Sequence, residues 1–128
     1  MSDKQAYEKQ LSADFPASLR LLTAEDYKRV FNNNPVKLVC PPFTLLAVPN
    51  QKKLSRLGLI VAKKNVRHAV DRNKIKRLAR ESFRLHQHQL PSFDIVLLAR
   101  RGSSQLPNKV LFEHLEQLWI RLQKRVNK

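Results

Sequence analysis

Apolar residues recur along this chain with two periods, and the switches between them divide it into seven elements. Thr23-Ala24-Glu25-Asp26 puts a hydroxyl in a capping position ahead of two acids, and Tyr27, Val30 and Phe31 follow at i, i+3 and i+4. This predicts a short amphipathic helix over 23–31, stopped by Asn32-Asn33-Asn34-Pro35. Val36 to Cys40 and Phe43 to Val48 read as strands. Pro41-Pro42 between them supplies no ladder donor and predicts a break or bulge, with the register across it left open. Pro49 to Lys53 reads as a turn and Arg56 to Ala62 as a third strand, apolar on both faces and therefore predicted to be central and covered. From His68 to about Gln89 the period becomes helical, with Ile75, Leu78, Ala79, Ser82, Leu85 and His86 on one side until Pro91. Phe93 to Ala99 is a fourth strand. After Arg101-Gly102-Ser103-Ser104 and Pro107, a last helix carries Leu111, Leu115, Leu118, Trp119, Leu122 and Val126 in a stripe broad enough to cover a sheet.

The order helix, strand, strand, strand, helix, strand, helix predicts an α+β fold, an α/β sandwich with a four-stranded sheet and the long helix in a crossover connection. The passage from 56 to 99 is long enough for the third and fourth strands to be parallel. At 128 residues the chain has room for one core. The polar, mixed-charge start predicts a flexible leader over 1–14 and one domain over 15–128. No apolar run approaches the ~20 residues of a membrane span, and the start lacks the apolar centre of a signal peptide. The single cysteine, Cys40, excludes an internal disulfide and a multi-thiolate zinc site, and it is expected to be a small buried hydrophobe. A cytoplasmic protein without a membrane partner is the expectation.

Charge changes the picture. Lys and Arg number 25 against 10 Asp and Glu, for a formal charge of +15, so a polyanion is the first partner to consider. The excess is concentrated in residues 63–84, with nine cations and two acids. On a helical wheel with Ile75 at zero, Lys76, Arg80, Asn73, Arg84 and Arg77 fall between about 100° and 200°, opposite the apolar stripe. Arg72 at about 60° and Lys74 at about 260° lie on its borders. Lys63, Lys64 and Arg67 stand just upstream. A face kept only for solubility interleaves both signs, whereas here only Asp71 and Glu81 lie near the edges. Arginine forks and lysine heads lined up over three turns match a phosphate backbone.

The stretch Lys63 to Arg84, KKNVRHAVDRNKIKRLARESFR, resembles the signature segment of the bacterial ribonuclease P protein family, with RNKIKRLAR at the place of its RNR motif. FPASLRLLTAEDYKRVF, RLGLIVAKK and FDIVLLARRG are similar to the family's N-terminal segment, third strand and following strand. Lys74 stands where the family more often has arginine, which keeps the charge and gives up a bidentate fork. The resemblance implies a protein cofactor of a ribozyme. Its RNA subunit, with its own magnesium, cleaves precursor tRNA to make the mature 5′ end, while the protein holds that RNA and the 5′ leader. It implies no cofactor bound by the protein alone and no obligate protein partner. Arg72, Asn73, Lys74, Lys76, Arg77 and Arg80 match the segment facing the RNA subunit, with Lys63, Lys64, Arg67 and Arg84 beside them. Tyr27, Phe31 and Phe43 match aromatic positions of a leader cleft between the first helix and the sheet.

Each residue also has a plainer reading. Tyr27 and Phe31 suit the core of a short helix, Phe43 suits sheet core, and Asn73 or Asp71 suits a helix cap. Gly58 marks a close approach of backbone or RNA, or a gap beneath a helix. His86 and His88 diverge by about 200° on a helix and do not suit a metal. An autonomous nuclease needs acids gathered around a metal or a histidine pair, and Asp71, Glu81 and Asp94 are scattered. A general RNA-binding module fits the composition but has no reason to contain the ordered motifs, and no DNA-reading motif is present.

Overall fold

The computed structural model describes residues 19–20, 23–33, 36–90 and 92–126; the leader expected over 1–14 lies outside them. The first helix among the described residues, α1 (Ala24–Asn33), starts as its sequence demands. The Thr23 hydroxyl accepts the Asp26 N–H at 3.1 Å, and the Asp26 carboxylate accepts the Thr23 N–H at 3.4 Å. Strands β1 (Val36–Cys40) and β2 (Phe43–Pro49) pair antiparallel with Cys40 opposite Phe43. Pro41-Pro42, joined by a cis peptide, is thus the tight turn of a hairpin rather than a break or bulge. Strand β3 (Arg56–Val61), helix α2 (Ala69–His86), strand β4 (Phe93–Ala99) and helix α3 (Asn108–Val126) complete the predicted order. The sheet runs β1-β2-β4-β3, with β4 antiparallel to β2 and parallel to β3, so α2 is the crossover. Among the described residues, no helix is long and apolar enough to cross a membrane.

One face of the sheet packs Phe43, Leu45, Ile95 and Leu97 against Ile75 and Phe83 of α2 and Leu115 and Trp119 of α3. The other packs Leu46, Val48 and Val96 against Val30 of α1. This double cover corrects the placement of β3, which is an edge strand and not a central one. Leu57, Leu59 and Val61 face the larger core, while Ile60 joins the α1 side, so the strand is apolar on both faces without a neighbour on both edges. Arg20 makes a parallel backbone bridge to Leu57 on its outer side.

The buried arc of α2 is also rotated from the prediction: Phe83 is fully buried and Leu85 is 54% exposed. Helix α3 is the cause. Trp119 meets Phe83 edge-on at 5.6 Å and donates its indole N–H to the Ser82 hydroxyl at 2.8 Å. Ser82→Ala leaves that buried donor without an acceptor and is expected to cost about 1–3 kcal/mol in chemical denaturation; an unchanged midpoint would show the bond to be dispensable. His86 Nδ1 lies 2.9 Å from the Ser82 carbonyl, a local contact within the helix. Cys40 is half-buried rather than sealed in the core, with Sγ 3.2 Å from His114 Nδ1.

The α1 side is fastened by a buried carboxylate. Asp94 has no exposed surface and accepts from Arg56 Nη2 at 2.7 Å, Arg56 Nε at 2.9 Å and Asn50 Nδ2 at 2.9 Å, and it also pairs with Arg29 of α1. Arg56 reaches Asp26 of α1 as well, at 3.3 Å.

Candidate nucleic-acid interface

Between β3 and α2 the chain makes a short basic turn that is rigidly built. The N–H groups of Asn65 and Val66 both bond the Ala62 carbonyl at 3.0 Å, and the Val66 side chain is buried. Arg72 Nη1, on the first turns of α2, reaches back to the carbonyls of Val66 at 3.0 Å and Arg67 at 2.8 Å. Held this way, Lys63, Lys64, Arg67, Asn73 and Arg77 are exposed, while Lys74, Lys76, Arg80 and Arg84 are partly covered.

The cationic segment expected to form one wall therefore splits. The turn and the outer face of α2 carry the exposed group. Arg72 braces the turn, because its border position on the wheel lets the long side chain fold back over the loop. Arg84 pairs with Glu81, so the like-charge repulsion is partly compensated there. Lys76 and Arg80 instead face the outer edge of β3, where Arg20 bridges Leu57. With Arg20, Tyr27, Leu57 and Leu59 they line a cavity of about 240 Å³. Burial holds the Arg80 guanidinium below its ordinary pKa, the charge of Arg20 adds to that effect, and Tyr27 opposes it.

Of the three aromatic candidates, Phe31 is 40% exposed, Tyr27 is half-buried and Phe43 is fully buried. Phe43 is excluded from a cleft on the α1 side, since it points into the larger core on the opposite face. Tyr27 lies across Gly58, where an added Cβ would come within 2.7 Å of the ring. The glycine thus marks the close approach of a helix side chain. Gly58→Ala is expected to displace that ring and cost about 1–3 kcal/mol, with Tyr27→Ala in the same chain recovering the clash component; no recovery in denaturation would show that the ring is not the obstacle.

Phe31 stands at a second cavity, also about 240 Å³, with Ile60, Leu98, Lys64, Asn65 and Arg100 among its lining residues. Asn65 Nδ2 donates to the Ala99 carbonyl and Arg100 Nε to the Thr44 hydroxyl, each at 3.4 Å. Sequence reasoning missed Ile60, Leu98, Asn65, Arg100 and Arg20. Ile60 and Leu98 are direct partners in the parallel register, so the alternation of two strands carried their signal. Asn65, Arg100 and Arg20 lie beyond regular elements and had none. Among the described residues, no three of His, Cys, Asp and Glu gather into a metal site.

A sheet with an aromatic-walled groove on one face, bordered by a basic turn and a basic helix, defines a small α+β protein of the RNA-binding class. The chain belongs to the ribonuclease P protein family: the family profile, described as Ribonuclease P, matches residues 15–123. A ribonuclease P protein component from Chromohalobacter salexigens is 50% identical over 114 residues, covering 89% of each chain. The solved Staphylococcus aureus RNase P protein superposes with a TM-score of 0.75 at 28% identity, over 83% of this chain and 95% of that one. The Thermotoga maritima protein gives 0.71 at 33% identity, over 80% and 96%. This chain is accordingly a subunit of ribonuclease P, associated with the RNA of that enzyme and part of an endoribonuclease holoenzyme in tRNA processing.

Proposed function

We propose that this subunit holds the 5′ leader of precursor tRNA in the groove at Phe31 while the basic turn and the outer face of α2 dock on the RNA subunit. The RNA subunit, with its magnesium, then removes the leader to form the mature 5′ end. The groove carries this reading. Its floor is apolar at Ile60 and Leu98, one wall is the partly exposed ring of Phe31, and Lys64 and Arg100 add cations. An aromatic face takes any base, and cations track the backbone, which suits leaders of varied sequence. Lys64 also belongs to the basic turn, so leader and RNA subunit would meet the protein side by side. This chain's residues bind, orient and reduce repulsion between two polyanions, and the reading gives none of them a bond-breaking role or a magnesium ligand. Substrate and partner are both RNA, and no protein partner is needed.

The test is cleavage of labelled precursor tRNA at low magnesium by bacterial ribonuclease P RNA alone, by this protein alone and by the two together. Cleavage is expected only, or far more strongly, in the mixture; equal rates with and without protein would overturn the reading. Phe31→Ala removes the stacking face and is expected to cost about 1–3 kcal/mol, or about 5- to 150-fold, in affinity for precursor tRNA with little change for mature tRNA. Equal losses for both would count against a leader groove.

A further inference from the structure

Helices α2 and α3 are pinned together where Trp119 donates to Ser82, and one turn back from that contact they leave a groove of about 420 Å³. Leu78 of α2 and Phe112 of α3 give it an apolar lining, and Lys109, Glu113 and Glu116 of α3 stand around it. None of these residues belongs to the basic turn or to the cavity at Phe31. The same helix faces stay apolar further on. Leu85 lies two turns beyond Leu78 and is 54% exposed, and Ile120 lies two turns beyond Glu113 and is 38% exposed. From Asn108 to Ile120 the row runs about 18 Å along α3, or roughly three turns. It is not overflow from the core, because Ile75, Phe83, Leu115 and Trp119 already seal both helices on the sheet. A contiguous apolar row with a polar rim is the mark of a docking surface rather than of scattered surface leucines.

Charge selects the occupant. The chain carries +15, yet two of the three charged groups lining this groove are carboxylates. Glu113 is exposed and has no ion-pair partner among the described residues, and Glu116 meets His86 only at 3.7 Å. Acids here repel a phosphate backbone, so RNA is the wrong partner. A second copy docked face to face would set Glu113 and Glu116 against their own counterparts, and its basic helix has its apolar side already in the core. All six lining residues are on helices, so the groove offers no strand edge to an extended segment. A third helix can instead lay side chains at i, i+3, i+4 and i+7 between the two.

We propose that the groove between α2 and α3 docks an amphipathic helix of a protein partner, with apolar anchors over Leu78, Leu85 and Phe112 and lysine or arginine beside Glu113 and Glu116. Such a partner is an addition to the holoenzyme, not a requirement for cleavage. The proposal is independent of where leader and RNA subunit bind.

The full-length protein, free of RNA, is titrated at physiological ionic strength into a fluorescent helical peptide of about four turns, ~14 residues, with leucine at i, i+3, i+4 and i+7 and lysine elsewhere. Anisotropy is expected to saturate at one peptide per chain. A peptide with serine for each leucine keeps the charge and is expected to bind at least ten-fold more weakly. Glu113→Lys is expected to cost at least ten-fold and Leu85→Ser several-fold, both at exposed positions that leave the fold intact. Leu54→Ser, at an exposed leucine of the turn before β3, is expected to change nothing. Binding that never saturates, or that is indifferent to Glu113→Lys and Leu85→Ser, would overturn the proposal. Sedimentation of the chain alone is expected to show a monomer; a dimer broken by Leu85→Ser would make the groove a self-interface and overturn it as well. With ribonuclease P RNA, Glu113→Lys is expected to support precursor cleavage at the parent rate, and a loss there with peptide binding intact would assign the residue to RNA docking instead. Because the peptide titration contains no RNA, failure of the leader reading leaves its outcome untouched.

Discussion

Asp94→Ala is expected to remove about 3–5 kcal/mol of folding stability, lowering the melting temperature by roughly 10–20 °C. The carboxylate is fully buried, and truncation removes the two closest acceptors of the Arg56 guanidinium, whose side chain is only 13% exposed, and leaves it the longer contact to Asp26 at 3.3 Å. Arg29 is 38% exposed, can turn to water, and is expected to cost about 1 kcal/mol or less when replaced by alanine. Asp94→Asn keeps an acceptor for Asn50 and Arg56 but not the charge, so it should fall between the two. The network also joins β4 and β3 to α1, the helix that carries Tyr27 and Phe31. At temperatures where Asp94→Ala remains folded, precursor preference should therefore weaken along with stability. A midpoint within 1 kcal/mol of the parent would mean that the network adds nothing beyond packing.

Local chemistry explains which parts of this architecture could be read from the chain. The Thr23 cap, the strands over 36–40 and 93–99 and the crossover helix are each encoded by adjacent residues, and they lie where their patterns put them. Sheet order is different in kind. Strands β2 and β4 are apolar at both parities because helices cover both faces, and β3 adds Ile60 to its row of Leu57, Leu59 and Val61, so hydrophobicity could not tell an edge from a centre. The same ambiguity hid Phe43: it shares parity with Leu45 and Ala47, but nothing in the strand says which parity α1 covers. On α2 the wheel placed Lys76, Arg80, Asn73 and Arg77 in one arc. Only the neighbouring edge of β3 divides that arc, with Lys76 and Arg80 toward the strand and Asn73 and Arg77 toward solvent. The family motif located the basic helix as a unit and could not separate Arg72, which braces the turn, from the residues that the turn presents.

Replacing Lys63, Lys64, Arg67 and Arg77 together by alanine is expected to weaken binding to ribonuclease P RNA about 1,000-fold, taking ~1 kcal/mol for each phosphate contact. Counterion release predicts that the plot of log affinity against log salt flattens by about 3–4 units, and by about 1 unit for Arg77→Ala alone. All four side chains are exposed, and none lies in either core, so the variant is expected to stay folded under the binding conditions. Arg72 supplies the contrast. Arg72→Lys keeps the charge but loses the reach to two carbonyls, so affinity should fall while the salt slope stays that of the parent. Arg77→Lys, at an exposed position on the outer face of α2, should preserve the slope with a smaller loss. If the quadruple variant retains the parent slope, the docking face lies elsewhere. If Arg72→Lys matches the parent in affinity, the turn holds its shape without the brace, and the three upstream cations are positioned by Val66 and the Ala62 carbonyl alone.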